Sequence, residues 1–451
     1  MRTPPAKGSL FAALLLFSFL PLRAQMQAPL PPPDPRYKAD LLVIVAHPDD
    51  DTGVSTYLSK AVFDEHKRVA VIFTNRGSSG PDAVSMAQGK ALADERELEA
   101  RRSLAARGIT NVWFLDGHDT PTQDVLHSLE TMDHGQLLEE TVRLVRLTRP
   151  QVILTWMPAY VAGENHGDHQ ASSVLAVEAF SMAGNPTVFP EQLTAPRWYR
   201  GVGMYGEGLQ PWQPEKLYFF SDATHPDFLK GHGPAYPASD ISPSKHVSYA
   251  QLNRQAWEAY ATQIDFPQST LDYFVNQPEY LVLGKSLVPA PVTAGVFAGV
   301  TDQPVAYVPP PGYHPVARSG VTVQLGGPWA FYRQFYIAYA LNVMEGLVQP
   351  LQTALSSDNQ LWVPLLLRNN TGTAQDITVH ADLPAGWTGE TADRIYPVPP
   401  GGEYPAQLFY TAPSGPDLQS PQTLTWTATV NGKPIGEVHL AVYLEMDGVP
   451  Q

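Results

Sequence analysis

Two short stretches concentrate imidazoles and carboxylates in this chain of 451 residues. Ala46-His47-Pro48-Asp49-Asp50-Asp51 offers one imidazole and three carboxylates, and Asn165-His166-Gly167-Asp168-His169 offers two imidazoles with a carboxylate between them. A hydrolytic metal site needs about three His or carboxylate ligands and an open coordination position. A further, unligated carboxylate nearby can then move protons. Each stretch also has a plainer reading, because Pro and Asp favour turns and an Asp can cap the helix that follows. The chain has no cysteine, which excludes thiolate catalysis, disulfides and Cys-ligated zinc. Any metal therefore falls to His and carboxylates.

The elements around these stretches decide between the readings. Leu41 to Val45 is a continuous apolar run of the kind that forms a buried parallel strand, and it leads straight into His47. Val69 to Phe73, Asn111 to Leu115 and Gln151 to Trp156 read as further strands, and the last precedes the His166 stretch. Between them, Val54 to His66, Ala91 to Arg107 and Leu137 to Leu147 carry helical spacing. Strand and helix in alternation predict an α/β fold, an open parallel Rossmann-like sheet with helices on both faces. Such sheets bind ligands beyond the carboxyl ends of their strands. Two His/Asp clusters at that topological position are harder to dismiss than either alone.

Ala46-His47-Pro48-Asp49-Asp50 followed far downstream by His166-Gly167-Asp168-His169 resembles the PIG-L (LmbE-like) family of zinc-dependent sugar N-deacetylases. Arg96-Glu97-Leu98-Glu99, Phe114-Leu115-Asp116-Gly117-His118-Asp119 and Arg149-Pro150 extend the likeness across roughly residues 39–290. The resemblance implies one Zn²⁺ per chain, held by His47, Asp50 and His169. It implies Asp49 as general base, His166 as donor to the oxyanion, and Asp168 as the group that holds the His166 ring and favours its protonated form. Arg96 and Asp119 match positions that contact sugar hydroxyls or nearby polar groups. For each there is a structural alternative: Arg96 pairing with Glu99 on its own helix, and Asp119 capping a loop. Asp51 stands where the family usually has Glu, and Tyr260 where many relatives have His, a change expected to alter substrate contacts. Trp198, Tyr199, Tyr205 and Trp212 are read first as core packing, with stacking on a sugar face as the alternative.

The rest of the chain suggests an exported, multidomain protein. Residues 1–24 read as a signal peptide, with Arg2 and Lys7 before the apolar run Leu10 to Leu20. This predicts a secreted or periplasmic location and no integral membrane span after cleavage. Residues 25–38 read as a Pro-rich spacer, 39–298 as the deacetylase-like domain, and 299–357 as a linker and connecting helix. Residues 358–451 carry short strand-like runs between Asn, Gly and Pro turns, which predicts an all-β sandwich. Leu383-Pro384-Ala385-Gly386-Trp387 resembles the immunoglobulin-like modules of secreted bacterial hydrolases. The net charge of −15 argues against nucleic acid or an anionic membrane surface as partner. The expected activity is removal of acetyl from an N-acetylated sugar or glycoconjugate. Cleavage of a larger amide and a catalytically silent carbohydrate-binding protein are the alternatives.

Overall fold

The computed structural model describes residues 33–162, 166–193, 209–223, 225–301, 303–314, 318–348, 350–355, 359–390, 393–413 and 421–444. The expected signal peptide, most of the Pro-rich spacer, and Trp198, Tyr199 and Tyr205 lie outside them. No helix among the described residues is long and apolar enough to cross a membrane.

The N-terminal sheet is built from β1 (Leu41–Val45), β2 (Val69–Phe73), β3 (Asn111–Phe114), β4 (Val152–Trp156) and β5 (Lys216–Phe220). Helices α1 (Ser55–Phe63), α2 (Lys90–Ala106), α3 (Val125–Thr131), α4 (His134–Thr148) and α5 (Gly167–Met182) connect the first four strands or follow them. The two-residue strands β6 (Ala235–Tyr236) and β7 (Glu279–Tyr280) pair with each other, around α6 (Tyr249–Trp257) and α7 (Gln268–Asn276). An edge strand, β8 (Val282–Ser286), closes the main sheet, whose order is β3-β2-β1-β4-β5-β8. All its pairings are parallel except β5 with β8.

The apolar runs are continuous because both faces of the sheet are covered. Leu42 and Ile44 pack into one core with Leu138, Val142 and Val145 of α4 and Val174 and Ala176 of α5. Leu41, Val43 and Val45 pack into the other with Leu58 of α1 and Leu104 of α2. Strand order reverses between β1 and β4, which lie side by side with Leu41 opposite Val152 and Ile44 opposite Thr155. Here the helices leave to opposite faces and a crevice opens. Both His/Asp stretches begin at this crevice.

The expected linker at 299–357 is corrected. It contributes β9 (Val321–Leu325) and β10 (Gln352–Leu355) as well as the helix α8 (Gly327–Tyr339). The β9 sequence alternates so that Val321, Val323 and Leu325 face the sandwich core, which makes it a strand rather than a connector. The remaining strands are β11 (Gln360–Asn369), β12 (Gln375–Asp382), β13 (Thr388–Gly389), β14 (Arg394–Val398), β15 (Glu403–Thr411), β16 (Gln422–Val430) and β17 (Lys433–Leu444). They form sheets ordered β10-β17-β16-β12-β14 and β13-β15-β11-β9. Trp426 and Tyr410 are buried between the two sheets, with the Trp426 indole N–H donating to the Tyr410 hydroxyl at 2.8 Å.

α8 joins the two halves. Tyr332 and Phe335 are buried in the core beside α5, and the Tyr332 and Tyr336 hydroxyls donate to Gln170 Oε1 and Pro158 O, each at 2.7 Å. Trp329 packs on the sandwich core.

α5 carries the second His/Asp stretch at its N-terminus and is tied to α4 by His134 Nε2 and Glu178 Oε2, 2.6 Å apart. The Glu178 hydrogen bond raises the His134 pKa against the effect of burial. A group with a raised folded-state pKa contributes its stability in full below its unfolded value, about 6.5, and loses it as pH rises through the folded value. Replacing His134 by Ala is expected to cost about 0.5–1 kcal/mol at pH 5.5, discounted for a partly exposed pair. The difference from wild type should shrink steadily in denaturation curves taken at rising pH.

Candidate active site

Asp50 organises the loop after β1. Its Oδ2 accepts the backbone N–H groups of Ala46 and His47 at 2.8 and 2.9 Å and the Trp156 indole N–H at 2.7 Å. Three donors fix that oxygen and leave Oδ1 aimed elsewhere. The turn runs on through Asp49, which has φ of 118°, a conformation that costs a non-glycine residue roughly 1–3 kcal/mol and persists only where its surroundings impose it. Gln263 Nε2 donates to Pro48 O from one side. From below, Asp51 is fully buried and bound by Arg107 and by the Tyr260 hydroxyl. Tyr260 thus props the loop from inside the core instead of touching substrate, which corrects the sequence expectation. The two departures from the family pattern meet each other, the shorter carboxylate answered by a hydroxyl of longer reach.

The second stretch opens α5. His166 is the N-cap, and its ring Nδ1 accepts the Asp168 backbone N–H at 3.2 Å. Gly167 is required by close approach: a Cβ there would lie 2.6 Å from Ser128 Oγ and 2.7 Å from Thr122 O. His169, one turn in, stacks on Trp156 with ring centroids 4.3 Å apart and planes 6° from parallel.

These pieces converge on a small triangle. His169 Nε2 lies 3.2 Å from His47 Nδ1 and 3.1 Å from Asp50 Oδ1, and His47 Nδ1 lies 3.5 Å from Asp50 Oδ1. Ligands about 2.0–2.1 Å from one tetrahedral ion sit roughly 3.3 Å apart. The donor set and its size therefore fit a zinc-like ion. Two other groupings exist: ligand atoms of His47, His166 and His169, and of His47, Asp119 and Asp168, also fall within 4.8 Å of one another. The triangle is preferred because all three of its pairs, at 3.1, 3.2 and 3.5 Å, match the spacing of ligands around one tetrahedral ion.

The electrostatics agree with a cation-binding cluster. Burial opposes charge on His47, but Asp50, Asp119 and Asp168 outweigh it and hold its pKa well above the usual value. Asp50 is likewise buried, yet the charges of His169 and His47 and their hydrogen bonds hold its carboxyl well below the usual range. His166 goes the other way: burial, then the neighbouring His169 and His47, push its pKa well below normal. It is a neutral ring whose Nδ1 accepts, so its proton sits on Nε2.

Several of these residues have structural partners of their own, and Arg96 and Asp119 both line the cleft described below. The Asp168 carboxylate does not hold the His166 ring by hydrogen bond. It accepts Thr120 N at 2.9 Å and Thr120 Oγ1 at 2.6 Å, and faces His47 Nε2 at 3.4 Å. Burial works against its charge, but the hydrogen bond and charge of His47 bring its pKa to about 2. Asp119 Oδ1 lies 3.2 Å from the same His47 Nε2, while Oδ2 accepts Ser79 N at 2.7 Å. Both carboxylates thus orient a ligand ring from behind. The Arg96 guanidinium donates to Gly77 O and Pro81 O at 2.9 and 2.7 Å, so it shapes the loop after β2 rather than pairing with Glu99. Glu99 instead accepts from Thr262. Arg76 pairs with Asp94 and Glu97.

Asp49, Asp50, His47, His166 and His169 line a cleft of about 2630 Å³. Its wall beside them carries Trp257, Phe266, Tyr273 and Phe274 from α6, α7 and the loop between them. Trp257 stacks on Phe274 at 5.9 Å, and Tyr273 is 45% exposed. Trp212 is engaged in packing, with its indole N–H donating to Pro150 O at 2.6 Å. The spacing of Tyr273 and Phe274 in α7 was the available signal, but helical aromatics are more often core.

Comparison with known proteins matches residues 42–180 to the family described as PIG-L: GlcNAc-PI de-N-acetylase. A 1D-myo-inositol 2-acetamido-2-deoxy-alpha-D-glucopyranoside deacetylase of Catenulispora acidiphila is 26% identical over 54% of this chain and 81% of its own. A mycothiol S-conjugate amidase of Streptomyces coelicolor is 26% identical over 58% of this chain and 98% of its own. Among solved structures, N,N'-diacetylchitobiose deacetylase from Pyrococcus horikoshii is 18% identical, covers 58% of this chain and 87% of its own, and has a TM-score of 0.41.

If Asp119 orients His47, replacing Asp119 by Ala should weaken metal affinity about 10–100-fold, measured by competition with a chromogenic chelator. A residue that only touched sugar would raise KM and leave metal affinity where it was.

Proposed function

We propose, from the membership of residues 42–180 in the PIG-L family, that this metal-dependent amidohydrolase removes the acetyl group from an N-acetylated amino sugar or glycoconjugate. The observation that carries the reading is the triangle of His47 Nδ1, Asp50 Oδ1 and His169 Nε2, open to a cleft. These three residues would hold the ion. Two imidazoles and one carboxylate with an open position fit the donor set of a hydrolytic Zn²⁺ site, one ion per chain. When bound, the ion polarises an amide carbonyl and makes a water molecule acidic enough to attack near neutral pH.

The remaining steps belong to the chain's own residues. Asp49, half-buried at the cleft and next to a ligand, takes the proton of the attacking water on its carboxylate and passes it to the departing amine. Its unfavourable backbone geometry supports this role, since strain of that kind gathers where a side chain must be aimed. His166 needs no positive charge to act: with Nδ1 occupied by a backbone N–H, its Nε2–H donates to the oxyanion of the tetrahedral intermediate. Asp119 and Asp168 hold His47 in its ligating orientation.

The N-terminal signal pattern supports export, with the enzyme acting outside the cytoplasm. Reading the product decides between acetyl and larger acyl groups: acetate in one case, a longer acid in the other. The direct test is acetate release from N-acetylglucosamine compounds by wild type and by Asp49→Asn. The variant should keep its metal and lose roughly 10²–10⁴-fold in kcat. Equal turnover by both proteins, or none by the metal-loaded wild type on any amide, would overturn the reading.

A further inference from the structure

The cleft does not end at the N-terminal domain. Its 2630 Å³ is more than twice the roughly 300–1,000 Å³ typical of a site for one small molecule. Its lining includes both the metal triangle and the outer face of the sheet β13-β15-β11-β9, through Gln360, Trp362, Pro364 and Gln407. The side chains of β11 alternate, with Leu361, Val363 and Leu365 buried in the sandwich and Trp362 turned outward and 61% exposed. Phe409, directly opposite on β15, packs against the Trp362 indole with ring centroids 4.7 Å apart. Gln360 and Gln407, both exposed residues, lie on the same face.

The sandwich that bears this face is tied to the N-terminal domain, including through its other sheet. Besides the α8 hydroxyl contacts, Gln352 of β10 accepts the backbone N–H of Ala162, in the segment between β4 and α5, at 3.2 Å. An aromatic plate on a strand, backed by a second ring and flanked by amides, suits a pyranose: the plate takes the apolar ring face and the amides take hydroxyls or acetamido groups. The chain's net charge of −15 disfavours a polyanion and suits a neutral glycan.

We infer that the outer face of this sheet is a distal sugar-binding subsite of the catalytic cleft, so that the substrate is a neutral oligosaccharide of N-acetylated amino sugars spanning both domains. The inference rests on the deacetylase reading for the sugar class. A separate readout keeps the two apart.

The experiment is calorimetric titration of the full-length Asp49→Asn protein, which does not consume ligand, with N-acetylglucosamine and with its β-1,4-linked pentamer. The pentamer should bind at least about tenfold more tightly than the monomer. Adding Trp362→Ala should remove most of that advantage, Trp362→Tyr should restore much of it, and Ile395→Ala, an exposed residue of the opposite sheet, should bind like the parent. Equal affinity for monomer and pentamer, no pentamer binding, or a pentamer affinity unmoved by Trp362→Ala would each overturn the inference. Acetate release by wild type is scored independently. Acetate without Trp362-dependent binding leaves the deacetylase and removes the subsite; Trp362-dependent binding without acetate does the reverse.

Discussion

The carboxylate of Asp50 is the constraint on which the site depends. An aspartate in such a loop would ordinarily sample several rotamers and stay hydrated. Here one oxygen is saturated by two backbone N–H groups of its own turn and by an indole from the neighbouring strand. The other can then only face His47 and His169. The same three donors, together with His47 and His169, favour the charge that burial penalises, so the carboxylate stays ionised in the interior. Trp156 serves twice, because its ring also carries the His169 imidazole. Strand β4 therefore sets both the second ligand and the third.

Sheet topology supplies what the loop cannot. His47 and His169 are 122 residues apart in sequence, and only the adjacency of β1 and β4 brings their nitrogens to 3.2 Å. The adjacency is enforced by two apolar cores, each using alternate residues of the same strands. Around the ligands, charge is arranged in layers. His47 presents one nitrogen to the triangle and the other to Asp119 and Asp168, while Thr120 and Ser79 satisfy those carboxylates in turn. A second buried carboxylate, Asp51, is matched by Arg107 and Tyr260 and holds the turn from beneath. Unpaired, any of these buried charges would cost several kcal/mol.

Much of this was legible in the sequence because its signals were local. Continuous apolar runs place β1, β2 and β4 within a residue of their observed bounds. The two His/Asp stretches stood out by composition alone. What escaped depended on partners distant in sequence. That Asp119 and Asp168 serve His47, and that Arg96 serves loop carbonyls, cannot be read from residues whose chemistry fits either role. α5 was missed as a helix because it is buried almost all round, so it shows no amphipathic period. Strand β9 was taken for linker since its alternation spans only five residues, and its pairing with β11 appears only in three dimensions.

The sandwich changes what the cleft is. α8 inserts tyrosines toward α5 and a tryptophan toward the sandwich, making the second domain a wall of the site rather than a tethered neighbour. The account nonetheless stands on the ligand triangle, and the measurement that reaches it most directly is anomalous diffraction from crystals of the zinc-loaded protein, on both sides of the zinc absorption edge. The account predicts one anomalous peak about 2.0–2.2 Å from His47 Nδ1, Asp50 Oδ1 and His169 Nε2. A peak bound instead between Asp119 and Asp168 behind His47, or none in protein loaded with zinc, would contradict it.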